Sequence, residues 1–368
     1  MKKLLQQREY LLLGVLAILW IMFSVATDGI FTSTRNISNL FSQTAIVGIL
    51  SCGMVLIIVA GQIDLSAGSV VALTGGIAAA FNVWQYHLST FNSVLLSVFI
   101  GVWIGFITGM LVAYANIPAF IVTLGGMLIY RGTIKGITQG ETIGPVSESF
   151  QYFGNSYLSP LTGWLLMLVI IVALIFSFRL KMKNNTEHKP LYIKKGLLIL
   201  LTVAFVTLLN NYHGIPVSVF ILLVIAALMI FVTNSTTFGR YVYAVGGNKE
   251  AAFYAGINSK RILLFVFMVM GFLSAIAGIL YTARLGNATP SAGRNLELDA
   301  IAACVIGGTS LTGGKGTITG ALAGALIMSS LDNGMSLMNI SDFAQDIIKG
   351  IILISAVGID FYSAKRNN

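Results

Sequence analysis

Residues 94–115 read VLLSVFIGVWIGFITGMLVAYA, a run from Val94 to Ala115 without one charged side chain. A helix that crosses the hydrocarbon core of a bilayer needs about 20 such residues, and this stretch supplies them. Leu11–Val25 and Val217–Phe231 are of the same kind. Composition agrees: 56% of the 368 residues are apolar and 10% charged, whereas soluble domains carry about 25% charge. Within the run, Gly101, Gly105 and Gly109 recur every fourth residue. That spacing lets a second helix approach closely and predicts packing, not catalysis. The fold class that follows is all-α, a polytopic integral membrane protein with short or discontinuous helices, forming one transmembrane domain over 1–368.

Working outward, apolar segments fall near 10–26, 40–60, 65–83, 93–114, 118–133, 161–178, 196–211, 215–232, 262–283, 298–311, 316–333 and 345–361. The first lacks a small-residue cleavage site and reads as a retained span. Alternating sides from a cytoplasmic N-terminus puts most of the 22 basic residues inside: Lys2, Lys3, Arg8, the lysine-rich linker 179–195, Arg240, Lys249, Lys260, Arg261, Lys315, Lys365 and Arg366. Both termini are therefore expected in the cytoplasm. The net charge of +9 is a topology signal and not a nucleic-acid footprint. Segment 298–311 is too short to cross about 30 Å, and is expected to be half of a discontinuous helix.

The second break lies after Ile46–Ala60, where Gly61 to Gly68 reads GQIDLSAG before a new apolar run. Asp64 has two readings. It can cap the new helix by accepting from first-turn N–H groups, or serve as a carboxylate of a substrate or coupling site at the break. Residues 134–160 form the longest outer loop, whose aromatics Phe150, Tyr152, Phe153 and Tyr157 fit an interfacial belt. Gly307 to Thr317, GGTSLTGGKGT, fails as a phosphate loop. Thr309 stands where a glycine is needed and Gly316 where a Ser or Thr should follow Lys315. It reads as a tight turn between two packed helices, with Gly320 and Gly324 continuing a small-residue face.

One polar segment remains, Gly239 to Arg261, GRYVYAVGGNKEAAFYAGINSKR. Lys249 to Ile257 reads as a short helix entered through Gly246-Gly247-Asn248, with Asn248 as cap. It is either a basic connection resting on lipid headgroups or a helix that docks into a soluble partner. His87, His188 and His213 stand in unrelated contexts, so no metal site is expected. Cys52 and Cys304 read as small core residues. No nucleophile–base–orienter set and no ATP motif is present in the sequence, so no catalytic residue is assigned and energy must come from a partner or an ion gradient.

At this point the chain resembles the permease subunits of bacterial ATP-driven (ABC) sugar importers, the ribose/xylose branch. GQIDLSAG at 61–68 resembles the family's G-x-x-DLS-x-G stretch, with Gln62 where a second glycine is common. YAVGGNKEAAFYAG at 243–256 resembles its cytoplasmic coupling segment, and GGTSLTGGKG at 307–316 its late glycine-rich turn. Leu298 to Gly308 and Ser330 to Ser336 resemble the D-xylose subtype. The resemblance implies a homodimer in the inner (cell) membrane. It also implies a cytoplasmic ATPase subunit that holds ATP and magnesium, and an external or periplasmic sugar-binding protein that sets most of the specificity. This chain itself is expected to bind no cofactor and no nucleic acid, and not to be an enzyme. Gly246, Gly247, Asn248, Lys249, Glu250, Ala251, Ala252, Phe253, Tyr254 and Gly256 would then couple the ATPase to the spans. Candidate path residues are Gln62, Asp64, Ser66, Asn116, Thr123, Asp299, Thr309 and Asn333, each with an ordinary alternative as a cap or interhelical hydrogen bond. The competing reading is an ion-gradient-driven secondary transporter of a small neutral solute, using Asp64, Glu297 and Asp299 as coupling groups.

Overall fold

The structure, a computed structural model, describes residues 2–84, 88–182 and 189–366. His87 and the linker core 183–188 lie outside the described residues. Among the described residues the chain is built of fifteen helices. The first eight are α1 (Lys2–Ala26), α2 (Thr34–Val59), α3 (Ala67–Val83), α4 (Thr90–Ala113), α5 (Ala119–Thr138), α6 (Glu148–Asn155), α7 (Pro160–Met182) and α8 (Lys189–Asn210). There follow α9 (Val217–Ser235), α10 (Thr237–Gly247), α11 (Lys249–Tyr254), α12 (Ser259–Leu285), α13 (Leu296–Ile306), α14 (Ile318–Leu337) and α15 (Asp342–Arg366). The twelve apolar segments of the sequence each became a helix. The other three, α6, α10 and α11, are short and occupy polar connections. Five helices, α2, α4, α5, α9 and α12, are long and apolar enough to cross a membrane by length and composition.

Local chemistry sets the boundaries. Ser33 caps α2 by accepting from the Asn36 N–H at 3.3 Å, and Thr317 caps α14 through the Gly320 N–H at 3.1 Å. These side chains satisfy donors that the first helical turn leaves open. Pro118 and Pro216 stand directly before α5 and α9, where a missing N–H costs nothing. At the expected half helix, α13 has 11 residues, about 16 Å at 1.5 Å per residue, and ends in Gly307-Gly308.

The core is centred on α2, 94% buried over its apolar window. α12 packs along α4, α3 and α2. The glycine spacing explains how. Gly101 and Gly105 of α4 lie on the backbone of α12 at Gly271 and Phe267, and Gly75 of α3 meets Gly278 of α12. Any side chain there would collide with backbone. α13 and α14 pack in the same way, through Gly307 on Gly320 and Ala303 on Gly324. Large apolar side chains left exposed on α1, α4, α5, α9 and α15, such as Ile18, Phe99, Leu128, Leu228 and Ile351, form a surface suited to lipid. Cys52 and Cys304 are both buried and unpaired with each other.

Two sequence readings are corrected. The loop expected on the outside contains α6, whose Phe150 is fully buried among Ile143, Val146, Ile279 and Ala283; it is a core anchor and not a belt residue. Gly246 and Gly247, read as a turn, are the last residues of α10. The sequence hid this helix because glycine is a poor helix former; it is tolerated there for the contact described next.

Candidate functional site

α2 ends at Val59, and Gly61 turns the chain with φ +73°, a conformation that favours glycine. Past it, the Asp64 Oδ1 accepts from the Ser66 N–H at 2.7 Å and from the Ser66 hydroxyl at 2.6 Å, and α3 begins at Ala67. Asp64 is 5% exposed, so this local turn is what satisfies it. The Thr123 hydroxyl, on α5, donates to Ala119 O at 2.9 Å and reaches Ile63 O at 3.3 Å. Four candidates, Gln62, Asp64, Ser66 and Thr123, therefore gather at the break between α2 and α3. Gly68, opposite them, leaves its space to the Glu297 carboxylate and the Gly293 carbonyl.

The carbonyl at the end of α2 is the centre of a contact made almost wholly of backbone. Val59 O accepts from the Gly314 N–H at 2.9 Å. Gly246 of α10 packs against that same Val59 carbonyl, so closely that no side chain fits. Gly313 fits between Gly246 and Gly61, and Gly314 lies against Gly247. Gly313 and Gly314 hold φ +86° and +70°, so this turn needs glycine for conformation as well as for space. The Tyr243 hydroxyl donates to Gly316 O at 2.8 Å. Burial pushes its phenol up from the ordinary value. Thr309, fully buried, lies beside Gly316. The break, the polar segment and the late glycine turn, distant in sequence, meet at one point.

From this junction α11 projects. Asn248 Oδ1 accepts from the Ala251 N–H at 2.9 Å, the cap expected from the sequence. Ala252 is buried at 4% and joins the main core, whereas Phe253 and Tyr254 are 72% and 87% exposed. Lys249, Glu250, Ala251 and Gly256 are exposed as well. Two aromatic rings held edge to face, 5.9 Å apart, thus stand on the tip of a capped turn of helix anchored by one alanine.

The other path candidates lie elsewhere. Asn116 is exposed in the turn between α4 and α5, with φ +56°. Asp299 pairs with Lys349 Nζ at 3.2 Å, and Lys349 also meets Asp332 at 2.8 Å, so α13, α14 and α15 share one ion-pair network. Asn333 exchanges two hydrogen bonds with Asn36, at 2.8 and 3.1 Å, joining α14 to α2. Sequence reasoning passed over Lys349 and Asn36. Lys349 carried a signal, as a lone cation inside an apolar run; Asn36, at a helix start, did not.

A bundle of apolar helices with two interrupted spans and a projecting polar helix is the build of a membrane permease. Residues 36–357 match the branched-chain amino acid transport system / permease component family, and the chain belongs to that family. It is 43% identical over 367 residues to the xylose transport system permease protein XylH of Haemophilus influenzae, covering 97% of each chain. The XylH of Escherichia coli K12 is 41% identical over 375 residues, 99% of this chain and 94% of that one. The ribose import permease protein RbsC of H. influenzae is 36% identical over 359 residues, 98% and 94% of the two chains. No solved structure matches the chain. The family resemblance carried by the three motifs, and the xylose branch within it, are borne out.

Proposed function

We propose that this chain is the membrane-spanning permease subunit of an ATP-driven sugar importer in a bacterial inner membrane, with D-xylose as its cargo. The cargo follows from the similarity to xylose transport permeases over nearly the whole length. The observation that carries the mechanism is the glycine junction. α11 presents Phe253 and Tyr254 outward, and α10 behind it lies backbone to backbone on the end of α2. A cytoplasmic ATPase that holds α11 in a groove moves α10 with it, and the contact at Val59 passes that movement to the break at Gly61–Ser66. Contacts between backbones transmit better than contacts between long side chains, because no rotamer can absorb the displacement. Lys249 and Glu250 orient the docking by charge, and Phe253 and Tyr254 anchor it. ATP and magnesium belong to the ATPase, not to this chain.

Two copies form the path, with Gln62, Asp64, Ser66 and Thr123 at its narrow part in each. Both termini and α11 face the cytoplasm, and an external sugar-binding protein delivers the cargo to the opposite end. The ion-gradient reading fares worse, because two of its three coupling carboxylates are already engaged, Asp64 by Ser66 and Asp299 by Lys349.

The test is uptake of labelled xylose and ribose in membranes carrying this subunit, its ATPase and its binding protein, with Glu250→Arg as the control. Uptake of xylose in preference to ribose that needs ATP and collapses in the variant, while the protein still inserts, is expected. Uptake that ignores ATP and follows a proton or sodium gradient would overturn the proposal.

A further inference from the structure

α2 and α12, which pack along each other, both run from the side of the glycine junction to the far end of the bundle. There, between the starts and ends of α2, α6, α12 and α14, lies a polar cavity of about 550 Å³. Its lining includes Arg35, Asn39, Asn155, Tyr157, Tyr212 and Arg284 and contains no acidic side chain. Among the described residues neither arginine meets a carboxylate. Arg284 Nη2 instead donates to Asn39 Oδ1 at 2.8 Å, which fixes the guanidinium at the wall of the cavity. The wall itself is rigidly built. Gly154 of α6 lies directly on the backbone of Ala283 and Arg284. Leu158 N–H donates to Ile215 O at 2.8 Å and Val217 N–H to Ser156 O at 3.0 Å, tying the segment after α6 to the start of α9. Tyr157, Tyr212 and His213 cluster at the rim, with ring centroids 4.2 to 6.0 Å apart.

Two guanidinium groups in one cavity whose lining holds no acidic side chain make an electropositive site, and a planar carboxylate is the group whose geometry matches a guanidinium. We propose that this cavity receives an acidic side chain of the external sugar-binding protein, with Arg35 and Arg284 as its ion-pair partners and the tyrosines as the surrounding contact surface. The proposal rests on the importer reading above and names where that partner docks. A lipid phosphate is the alternative anion, and the experiment below tells the two apart. Tyr and Arg together at a fixed, partly enclosed site are also the composition of protein–protein anchor points. The same two helices then join the docking seat at one end to the ATPase junction at the other.

The experiment uses the permease with its ATPase in phosphatidylcholine nanodiscs and measures the affinity of the sugar-binding protein at low and physiological salt. Arg35→Glu, on an exposed side chain, is expected to weaken binding by about tenfold or more and to flatten its salt dependence. Arg284→Gln, which keeps an amide donor for Asn39, is expected to weaken it in the same direction, and Arg35→Lys to restore part of the loss. Unchanged affinity in both Arg35→Glu and Arg284→Gln, with the wild type binding, would overturn the cavity as a docking seat and leave the importer reading intact. Competition at the cavity by inorganic phosphate or added anionic lipid, with protein affinity unaltered, would overturn the docking seat in the same way. A wild-type complex that binds no sugar-binding protein would overturn both.

Discussion

Two short helices outside the apolar spans, α6 and α11, solve opposite problems. α6 turns its bulk inward: Phe150 is fully buried and Gly154 lets its backbone rest on the end of α12. α11 turns its bulk outward, burying Ala252 and exposing Phe253 and Tyr254. Both begin after a polar capping-type residue, Ser147 and Asn248, and both carry an acid in the first turn. The difference is where the aromatic side chains point. A helix that buries its aromatic ring is held by its own chain. A helix that buries an alanine and displays two aromatic rings leaves those rings free, and in the proposed function they are what the ATPase holds.

The comparison can be broken at either helix. Phe150→Ala should cost the most stability, about 3–5 kcal/mol for a fully buried ring, read as a large fall in the thermal unfolding midpoint of the purified protein. A change within error would mean that α6 is not an anchor. Gly246→Leu should cost about 1–3 kcal/mol by overpacking against the Val59 carbonyl. It should also uncouple ATP hydrolysis from uptake, because α10 can no longer rest on α2; normal coupling would remove the junction from the mechanism. Asn248→Ala should cost about 1 kcal/mol through the lost cap, with hydrogen exchange increasing at α11 and nowhere in α6. The smallest effect on stability belongs to Phe253→Ala, within about 0.5 kcal/mol for so exposed a residue. The same variant should weaken ATPase binding by about 2 kcal/mol or more, and a substitution that left binding intact would make Phe253 a lipid contact.

Much of this was legible from residues alone. Apolar runs, most of them free of charge, located all twelve apolar helices, because a bilayer-spanning helix must satisfy its backbone internally and cover it with apolar side chains. Glycine spacing gave a close helix approach at α4, whose partner the structure shows to be α12, and the short run before Gly307 gave the half helix α13. Asn248 announced its cap. What could not be read was tertiary: that Gly61, Gly246 and Gly314 share one contact, since a glycine shows that something comes close without saying what. Phe150 looked like a belt aromatic because burial of a loop residue depends on the helix beneath it. The partners of Asp299 and Asn333 were hidden because Lys349 and Asn36 lie 50 and 297 residues away.

The central claim is that α11 is the contact through which the ATPase acts, and thiol labelling tests it directly. Cys52 and Cys304 are buried, so a cysteine placed by Tyr254→Cys reports alone in inside-out membranes. A membrane-impermeant maleimide should label it rapidly when the ATPase is stripped off and slowly when the ATPase is bound. Equal labelling with and without the ATPase, or labelling only from the opposite face of the membrane, would contradict the account.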